Sequence, residues 1–302
     1  MRPVAEFRGV WPILYAFFDA QEKLDRAAMR AQVEACIRGG AHGIAVLGLV
    51  TEFHKLTLVE RRTIIDWVLE DVGGRLPVAV TVNESGVAAA LEVARAAEAA
   101  GAAWLVLQPP QIAGMNEAAL IRFMGALAEG VSIPCGPQNN PSMMDVALSA
   151  SALRTLNRQH PQFRMMKGEG PILYVQRLIE ETDGAFAIFN GLAGLELTDT
   201  HRIGCAGMIP APDVADVQAR IWELMDAGDE AGAEALHRSV LPLATFMMMP
   251  RTAEHFAAYG KPFFAKRAGI APPHGRRPCV EPHPLGASIL ERLGRGLPSL
   301  AG

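Results

Sequence analysis

Cysteine is scarce in this chain, and its spacing forms no recognisable pair. The four cysteines lie far apart along 302 residues, at Cys36, Cys135, Cys205 and Cys279. Because no Cys-x-x-Cys spacing is present, neither a disulfide framework nor a structural zinc site is indicated. We expect these four thiols to be buried.

The sequence also lacks long apolar runs and an excess of positive charge. Hydrophobic residues make up 50% of it and charged residues 20%, with a net charge of −4, which is typical of a globular protein without a polyanionic partner. The amino terminus carries charges throughout, and no segment has the length of a membrane span. We therefore expect a cytoplasmic protein that binds neither nucleic acid nor membranes.

Lysine is rare as well, which leaves few candidates for amine chemistry. The lysines are Lys23, Lys55, Lys167, Lys261 and Lys266. Lys167 ends an apolar run and is followed by Gly168. Side chains of a strand alternate between its two faces, so Lys167 is expected to share a face with Phe163 and Met165.

An amine at the end of such an apolar wall loses hydration, which favours its neutral, nucleophilic form. That form can attack a carbonyl carbon and produce a Schiff base. The alternative is a lysine that closes a strand and extends its ammonium group into water. The position of Lys167 in the fold decides between these two interpretations.

Strand-like and helix-like segments alternate eight times along the chain. The predicted strands are apolar on both faces and cover residues 10–18, 42–48, 77–82, 104–107, 132–137, 163–167, 185–190 and 205–209. Helical periodicity follows each strand, and one helix is predicted to begin at a capping box formed by Thr57 and Glu60. Eight such units favour an α/β fold of the (β/α)8 TIM barrel type over an open doubly wound sheet.

The barrel is predicted to occupy residues 1–225, and residues 226–302 to form a C-terminal helical appendage. One stretch of the appendage combines a run of three methionines with Leu241, Leu243 and Phe246. A monomer rarely exposes an apolar face of this size. We therefore expect a homo-oligomer.

In a TIM barrel the reactive groups gather at the carboxyl ends of the strands. The segments that qualify are rich in glycine and polar residues and cover 48–54, 138–141, 167–170, 190–194 and 209–212. Lys167 lies in one of these segments, whereas Lys261 and Lys266 lie on the appendage. This position favours a functional role for Lys167.

At these positions the sequence resembles the dihydrodipicolinate synthase and N-acetylneuraminate lyase family of class I aldolases, over nearly its whole length. Lys167 matches the family's lysine at the end of strand six. Gly48-Leu49-Val50-Thr51-Glu52 takes the place of the family's Gly-Thr-Thr-Gly-Glu, and Gln138-Asn139-Asn140-Pro141 that of its Tyr-Asn-x-Pro. Gly191 and Gly207-Met208-Ile209 match its strand-seven glycine and strand-eight Gly-x-Ile.

The resemblance implies a tetrameric or dimeric barrel that forms an imine with pyruvate or a related 2-oxo acid, without a metal or other cofactor. The implied activity is that of a Schiff-base lyase, either an aldolase or a hydro-lyase. The implied catalytic residues are Lys167 and Gln138. The implied substrate-binding residues are Gly48, Leu49, Val50, Thr51, Asn139, Glu169, Gly191 and Ile209.

Several family residues are replaced in this chain. Gln138 stands where the family has a proton-shuttling tyrosine, and a carboxamide has no titratable proton at neutral pH. Leu49 and Val50 replace two threonines, although their backbone N–H groups remain. Gln111 replaces a tyrosine that reaches the neighbouring subunit, and no arginine occurs in 142–144. We predict that the chain is neither a true dihydrodipicolinate synthase nor an N-acetylneuraminate lyase, and that it acts on a less polar 2-oxo acid.

Two explanations of these replacements remain open. The chain either binds a 2-oxo acid without turnover or keeps imine chemistry with another acid–base group. Candidates for that group are His54, Tyr15, Glu169 and a water held by Gln138 and Asn139. A buried lysine is costly without a use, which favours retained chemistry. The alternation of Glu52 and His54 leaves open a metal-dependent class II aldolase, although no third ligand is evident.

Overall fold

A parallel β-sheet closed into a barrel organises the chain. The structure, a computed structural model, describes residues 6–141, 144 and 147–300. The strands are β1 Gly9–Val10, β2 Ile44–Val46, β3 Val78–Val82, β4 Trp104–Leu107, β5 Cys135–Asn139, β6 Met165–Gly168, β7 Ala187–Asn190 and β8 Gly207–Met208. They pair in parallel in the order β1-β8-β7-β6-β5-β4-β3-β2.

Helices surround this sheet. They are α1 Arg26–Arg38, α2 Leu58–Val72, α3 Val87–Ala100, α4 Glu117–Glu129, α5 Ala150–Gln159, α6 Ile172–Glu181, α7 Leu197–Arg202 and α8 Ala215–Asp226. The predicted capping box is present at the start of α2, because Thr57 Oγ1 accepts from the Glu60 N–H and Glu60 Oε2 accepts from the Thr57 N–H. The helices cover the outer face of the sheet, so its strands are buried on both faces.

The barrel closes between its first and second strands. The Ala45 N–H donates to the Pro12 carbonyl, and the Ala45 carbonyl accepts from the Leu14 N–H, both at 2.9 Å. Because Pro12 has no N–H, the strand predicted over 10–18 is reduced to β1 and isolated bridges such as the one at Ile13. The predicted (β/α)8 barrel is confirmed.

Strand β5 lies further along the chain than predicted. A Cβ at Gly136 would overlap the Met165 carbonyl, so glycine allows β5 and β6 to approach each other closely. In the resulting register Gln138 lies opposite Lys167. Gln138 and Asn139 therefore belong to β5 itself, rather than to the loop after it.

Three large aromatic rings pack together inside the barrel. Trp11, Trp104 and Phe189 are fully buried, with ring centroids 5.2–6.3 Å apart. Tilted and edge-to-face contacts of this kind stabilise a core beyond the area that they bury. This filled interior leaves space for a ligand at the carboxyl end of the strands, where TIM-barrel sites lie.

The expectation that all four cysteines are buried is met in part. Cys36, Cys135 and Cys205 are buried, Cys279 is half-buried, and all four are free thiols. Within the described residues, no helix combines the length and the apolar character needed to cross a bilayer.

The appendage packs onto the barrel. It consists of α9 Glu230–Met248, α10 Ala253–His255, a π-helical turn Phe256–Gly260, α11 Lys261–Ala268 and α12 Pro284–Leu293. The sequence predicts that the apolar face of α9 would be exposed on a single chain. The structure differs, because Leu243, Met247 and Met248 are buried within the chain where α9 lies against α8. That face therefore gives no reason to expect an oligomer.

Candidate active site

A cavity of about 240 Å³ opens at the carboxyl end of the barrel. Its polar wall, from β4 to β6 and the loops after them, contains Gln108, Gln111, Gln138, Asn140, Lys167 and Glu169. Its apolar wall includes Ile13, Leu49, Val50, Leu192 and Ile209. Met248, Arg251 and Phe256 of the appendage complete the lining. The cavity is therefore a small compartment with amide groups on one side and hydrocarbon on the other.

Lys167 lies on the wall of this cavity, in β6. Its side chain is 9% exposed, and its Nζ lies 3.1 Å from Glu169 Oε1. Residues two apart in an extended segment share a face, which places Lys167 and Glu169 on the same side. At this distance Glu169 can accept a proton from the ammonium group and free the nucleophilic amine.

The Glu169 carboxylate also has two amide partners. Gln138 Nε2 donates to Glu169 Oε2 at 2.7 Å, and Asn140 Nδ2 donates to the same oxygen at 3.2 Å. A Cβ at Gly191 would overlap Glu169 Oε1, so the glycine after β7 leaves room for this carboxylate. The site thus holds a titratable group beside the amine, whereas Gln138 itself has none.

The chain after β2 forms a tight turn at the apolar wall. Leu49–Thr51 is a single 3₁₀ turn, and the N–H groups at the start of such a turn have no acceptor within it. Thr51 is buried and donates to the Leu14 carbonyl at 2.7 Å, so its hydroxyl stabilises the loop. A Cβ at Gly48 would overlap the end of the Ile13 side chain, so this glycine leaves room for Ile13 in its present position.

Glu52 connects this turn to the appendage. It has a positive φ of 55° and is 1% exposed, and its carboxylate is bound by Lys261 and, at 3.1 Å, by Lys55. Burial lowers the pKa of Lys261, and the charge of Glu52 opposes this shift.

His54, the other residue considered as a metal ligand with Glu52, is exposed. Among the described residues, no three His, Cys, Asp or Glu side chains are grouped so that they could hold a metal ion.

Two further candidates from the sequence lie outside the cavity lining. Asn139 accepts from the Leu148 N–H at 2.9 Å and donates to the Leu148 carbonyl at 3.1 Å, so it holds a loop. Tyr15 donates to Asp213 in a buried pair. Burial and the nearby Asp213 raise the pKa of Tyr15, and burial raises the pKa of Asp213 to about 6. Of the side chains considered as proton shuttles, Glu169 is the titratable one that lines the cavity.

Sequence reasoning did not select five residues of the lining, namely Ile13, Gln108, Met248, Arg251 and Phe256. Ile13 follows β1 and Gln108 follows β4, so their positions after strands could have identified them. No comparable signal marks the other three, because they reach the cavity through the packing of the appendage. Of the segment 142–144, only Met144 lies within the described residues, and it lines the cavity.

A sequence model of the dihydrodipicolinate synthetase family matches residues 6–256 of this chain. The chain belongs to that family. Members of the dihydrodipicolinate synthetase family are Schiff-base lyases that act on pyruvate. The resemblance seen in the sequence is thereby confirmed.

Individual dihydrodipicolinate synthetase family members align over most of their length. The 4-hydroxy-tetrahydrodipicolinate synthase of Thermus thermophilus is 32% identical over 235 residues, covering 76% of this chain and 78% of the relative. The enzyme of the same name from Methanoculleus marisnigri is 29% identical over 249 residues, covering 80% and 84%. The crystal structure of YagE from Escherichia coli K12, in complex with pyruvate, superimposes with a TM-score of 0.84 at 23% identity, covering 95% and 97%. This last likeness shows a shared fold.

Proposed function

We propose that this chain is a Schiff-base lyase in which Lys167 forms an imine with a 2-oxo acid. The observation that carries the proposal is the pairing of Lys167 and Glu169 at 3.1 Å on the wall of one small cavity. Family membership supports the same chemistry. A protonated imine withdraws electrons from the neighbouring carbon, so a carbon–carbon bond or a hydroxyl group two carbons away can be broken.

In the proposed reaction Glu169 handles the protons of imine formation. It takes one proton from the Lys167 ammonium, and the neutral amine then attacks the carbonyl carbon. A second proton passes from this nitrogen to the former carbonyl oxygen, which gives a carbinolamine. Glu169 returns the proton to the carbinolamine hydroxyl, which leaves as water while the C=N bond forms. Gln138 and Asn140 hold the carboxylate in place throughout. The tyrosine of the family is thus replaced in function by Glu169, not by Gln138.

The other predicted site residues divide into two groups. Leu49, Val50 and Ile209 line the cavity, and we propose that they contact the substrate. The substrate carboxylate would accept hydrogen bonds from the Leu49 and Val50 N–H groups at the start of the 3₁₀ turn. The second group supports the site without lining it and consists of Gly48, Thr51, Asn139 and Gly191.

We infer that the chain is not a true dihydrodipicolinate synthase, although its relatives carry that name. The support is the loss of the hydroxyl relay, since Leu49, Val50, Gln111 and Gln138 provide no hydroxyl group. Purified protein should not turn over pyruvate plus aspartate semialdehyde at a few per second, the rate usual for enzymes. Turnover at that rate would show that Glu169 alone can replace the relay.

Imine formation is tested by trapping. Wild-type protein and a Lys167→Ala variant are incubated with pyruvate and with longer 2-oxo acids, reduced with borohydride and weighed by intact-mass spectrometry. We expect a single adduct per chain on the wild type and none on the variant. Absence of an adduct with every acid would refute the proposal. An adduct without cleavage or dehydration of any substrate would identify a binding protein instead.

We further propose that the appendage, residues 226–302, is a separate sequence unit that completes the site of the barrel, and that the chain forms a homo-oligomer. Met249, Val280 and Leu285 of the appendage are more than half exposed and are candidates for a subunit contact. Light scattering at micromolar concentration tests the assembly. A monomeric mass would contradict it.

A further inference from the structure

Arg251 is a half-buried arginine on the cavity wall that lacks a polar partner. It belongs to the segment between α9 and α10, and it lines the same cavity as Lys167. No hydrogen bond or ion pair from its side chain is present within the described residues. Four other buried or half-buried arginines are paired, namely Arg26 with Asp71, Arg61 with Glu84, Arg267 with Asp216 and Arg276 with Glu60, whereas Arg164 has no such partner among the described residues and lies outside the cavity lining.

Hydrogen bonds before and after Arg251 anchor the segment that carries it. The Thr252 N–H donates to the Pro250 carbonyl at 3.0 Å, and Thr252 Oγ1 caps α10 by accepting from the His255 N–H at 3.2 Å. His255 Nε2 is hydrogen-bonded to the Phe246 carbonyl at 2.9 Å. These bonds fix the backbone on both sides of Arg251, so its side chain is presented to the cavity by a defined support.

The charges of the cavity wall do not cancel. Lys167 and Glu169 neutralise each other across 3.1 Å. Among the described residues, the rest of the wall consists of amide, thioether and hydrocarbon groups, so no opposite charge on it compensates the guanidinium of Arg251. A guanidinium in such surroundings binds a carboxylate through two parallel hydrogen bonds.

The carboxylate next to the substrate carbonyl already has a proposed place at the Leu49 and Val50 N–H groups. We propose that Arg251 binds a second carboxylate, at the end of the substrate remote from its carbonyl, so that the natural substrate is a 2-oxo dicarboxylic acid. This proposal rests on the function proposed for Lys167. It replaces the expectation of a less polar 2-oxo acid, because the sequence could not show that an arginine enters from the appendage.

Imine trapping with paired probes tests this role. Wild type, Arg251→Gln, Arg251→Lys and the exposed control Arg238→Gln are titrated with pyruvate, which has one carboxylate, and with 2-oxoglutarate, which has two. We expect Arg251→Gln to raise the half-saturating concentration of 2-oxoglutarate by about 10-fold to 100-fold and to leave that of pyruvate unchanged. Arg251→Lys should recover part of the loss, and Arg238→Gln should match the wild type.

A second measurement does not need an imine. Thermal shifts are recorded with glutarate, a dicarboxylate without a carbonyl, and with butyrate, its monocarboxylate counterpart. We expect glutarate to stabilise the wild type more than butyrate, and the difference to vanish in Arg251→Gln. Equal losses for pyruvate and 2-oxoglutarate, or a glutarate effect that survives Arg251→Gln, would overturn the role of Arg251. No adduct with either acid, together with an Arg251-dependent glutarate effect, would refute imine formation but support the anion site.

Discussion

Two of the buried lysine–glutamate pairs among the described residues differ in their access to the cavity. Lys167 and Glu169 lie on the cavity wall, whereas Lys261 and Glu52 are almost fully buried and do not line it. Burial lowers the pKa of Lys261, which belongs to the pair without access to a ligand. A buried, perturbed lysine is therefore not by itself a reactive one. Contact with a space that admits a carbonyl compound makes the difference.

The surroundings of the two amines support the different roles proposed for them. Lys261 Nζ lies 5.0 Å from the centre of the Phe18 ring and contacts Glu52, so protein groups occupy the space around it. Lys167 has Glu169 on one side and the cavity on the other. We therefore assign a structural role to the Lys261 pair and a chemical role to the Lys167 pair.

The largest effect is expected from Glu169→Gln, which keeps the shape of the side chain but removes its titratable proton. Turnover should fall on the order of 10²–10⁴-fold, because a general acid–base group contributes about that much. Borohydride should still trap an adduct on Lys167 after long incubation. Steady-state kinetics measure the loss, with Glu254→Gln as a control carboxylate outside the cavity. A loss of less than about threefold would exclude Glu169 as the proton shuttle.

The second-largest effect concerns how much the Lys261–Glu52 and Lys167–Glu169 pairs each contribute to the free energy of unfolding. Lys261→Met leaves the buried Glu52 carboxylate with Lys55 as its remaining cationic partner, so the free energy of unfolding should fall by about 3 kcal/mol, the low end for a broken buried ion pair. Lys167→Met should cost less than about 2 kcal/mol, because Gln138 and Asn140 still donate to Glu169. Urea denaturation compares the two variants.

A double variant, Lys261→Met with Glu52→Gln, provides the control for this loss. It also removes the carboxylate charge that has lost Lys261, and it should recover part of the lost stability. Equal costs for Lys261→Met and Lys167→Met would contradict the structural role of the Lys261 pair.

The smallest effect concerns Asp213, a buried carboxylate bound to Tyr15 and outside the cavity. Its pKa is raised to about 6 by burial, so its folded state holds a proton more tightly than the unfolded chain. The stability that this gives is fully present below about pH 4 and is lost as the pH rises through 6. Because the pKa differs between the folded and unfolded states, the free energy of unfolding changes with pH by at most about 3 kcal/mol.

Asp213→Asn should remove this pH dependence. Chemical denaturation between pH 4 and 7 measures it as the difference in unfolding free energy between the wild type and the variant. We expect the wild type to lose stability relative to Asp213→Asn as the pH rises. A difference that stays constant over this range would show that the carboxyl group does not titrate there.

Much of the barrel and of the Lys167 site could be predicted from periodicity. Strand alternation and position at a strand end identify Lys167, and the same alternation applied two residues further places Glu169 beside it. The family motif that contains Asn139 predicts that this residue binds substrate. In β5, however, it points away from the face shared by Gln138 and Asn140, which alternation along the strand explains.

The remainder of the site depends on packing between distant segments. Arg251 and Phe256 reach the cavity only because α9 and the turns after it fold over the barrel. The ion pair of the buried Lys261 likewise joins distant segments, because Glu52 lies more than 200 residues earlier in the chain. Local sequence patterns do not determine such contacts.

Peptide mapping of the trapped imine tests the contrast between the two lysines most directly. Wild-type protein is saturated with a 2-oxo acid, reduced with borohydride and digested, and the modified lysine is located by mass spectrometry. We predict that the adduct lies on Lys167 and that Lys261 is recovered unmodified, because only Lys167 borders the cavity. Modification of Lys261 in the folded protein, or of neither lysine, would contradict the assignment of chemistry to the Lys167–Glu169 pair.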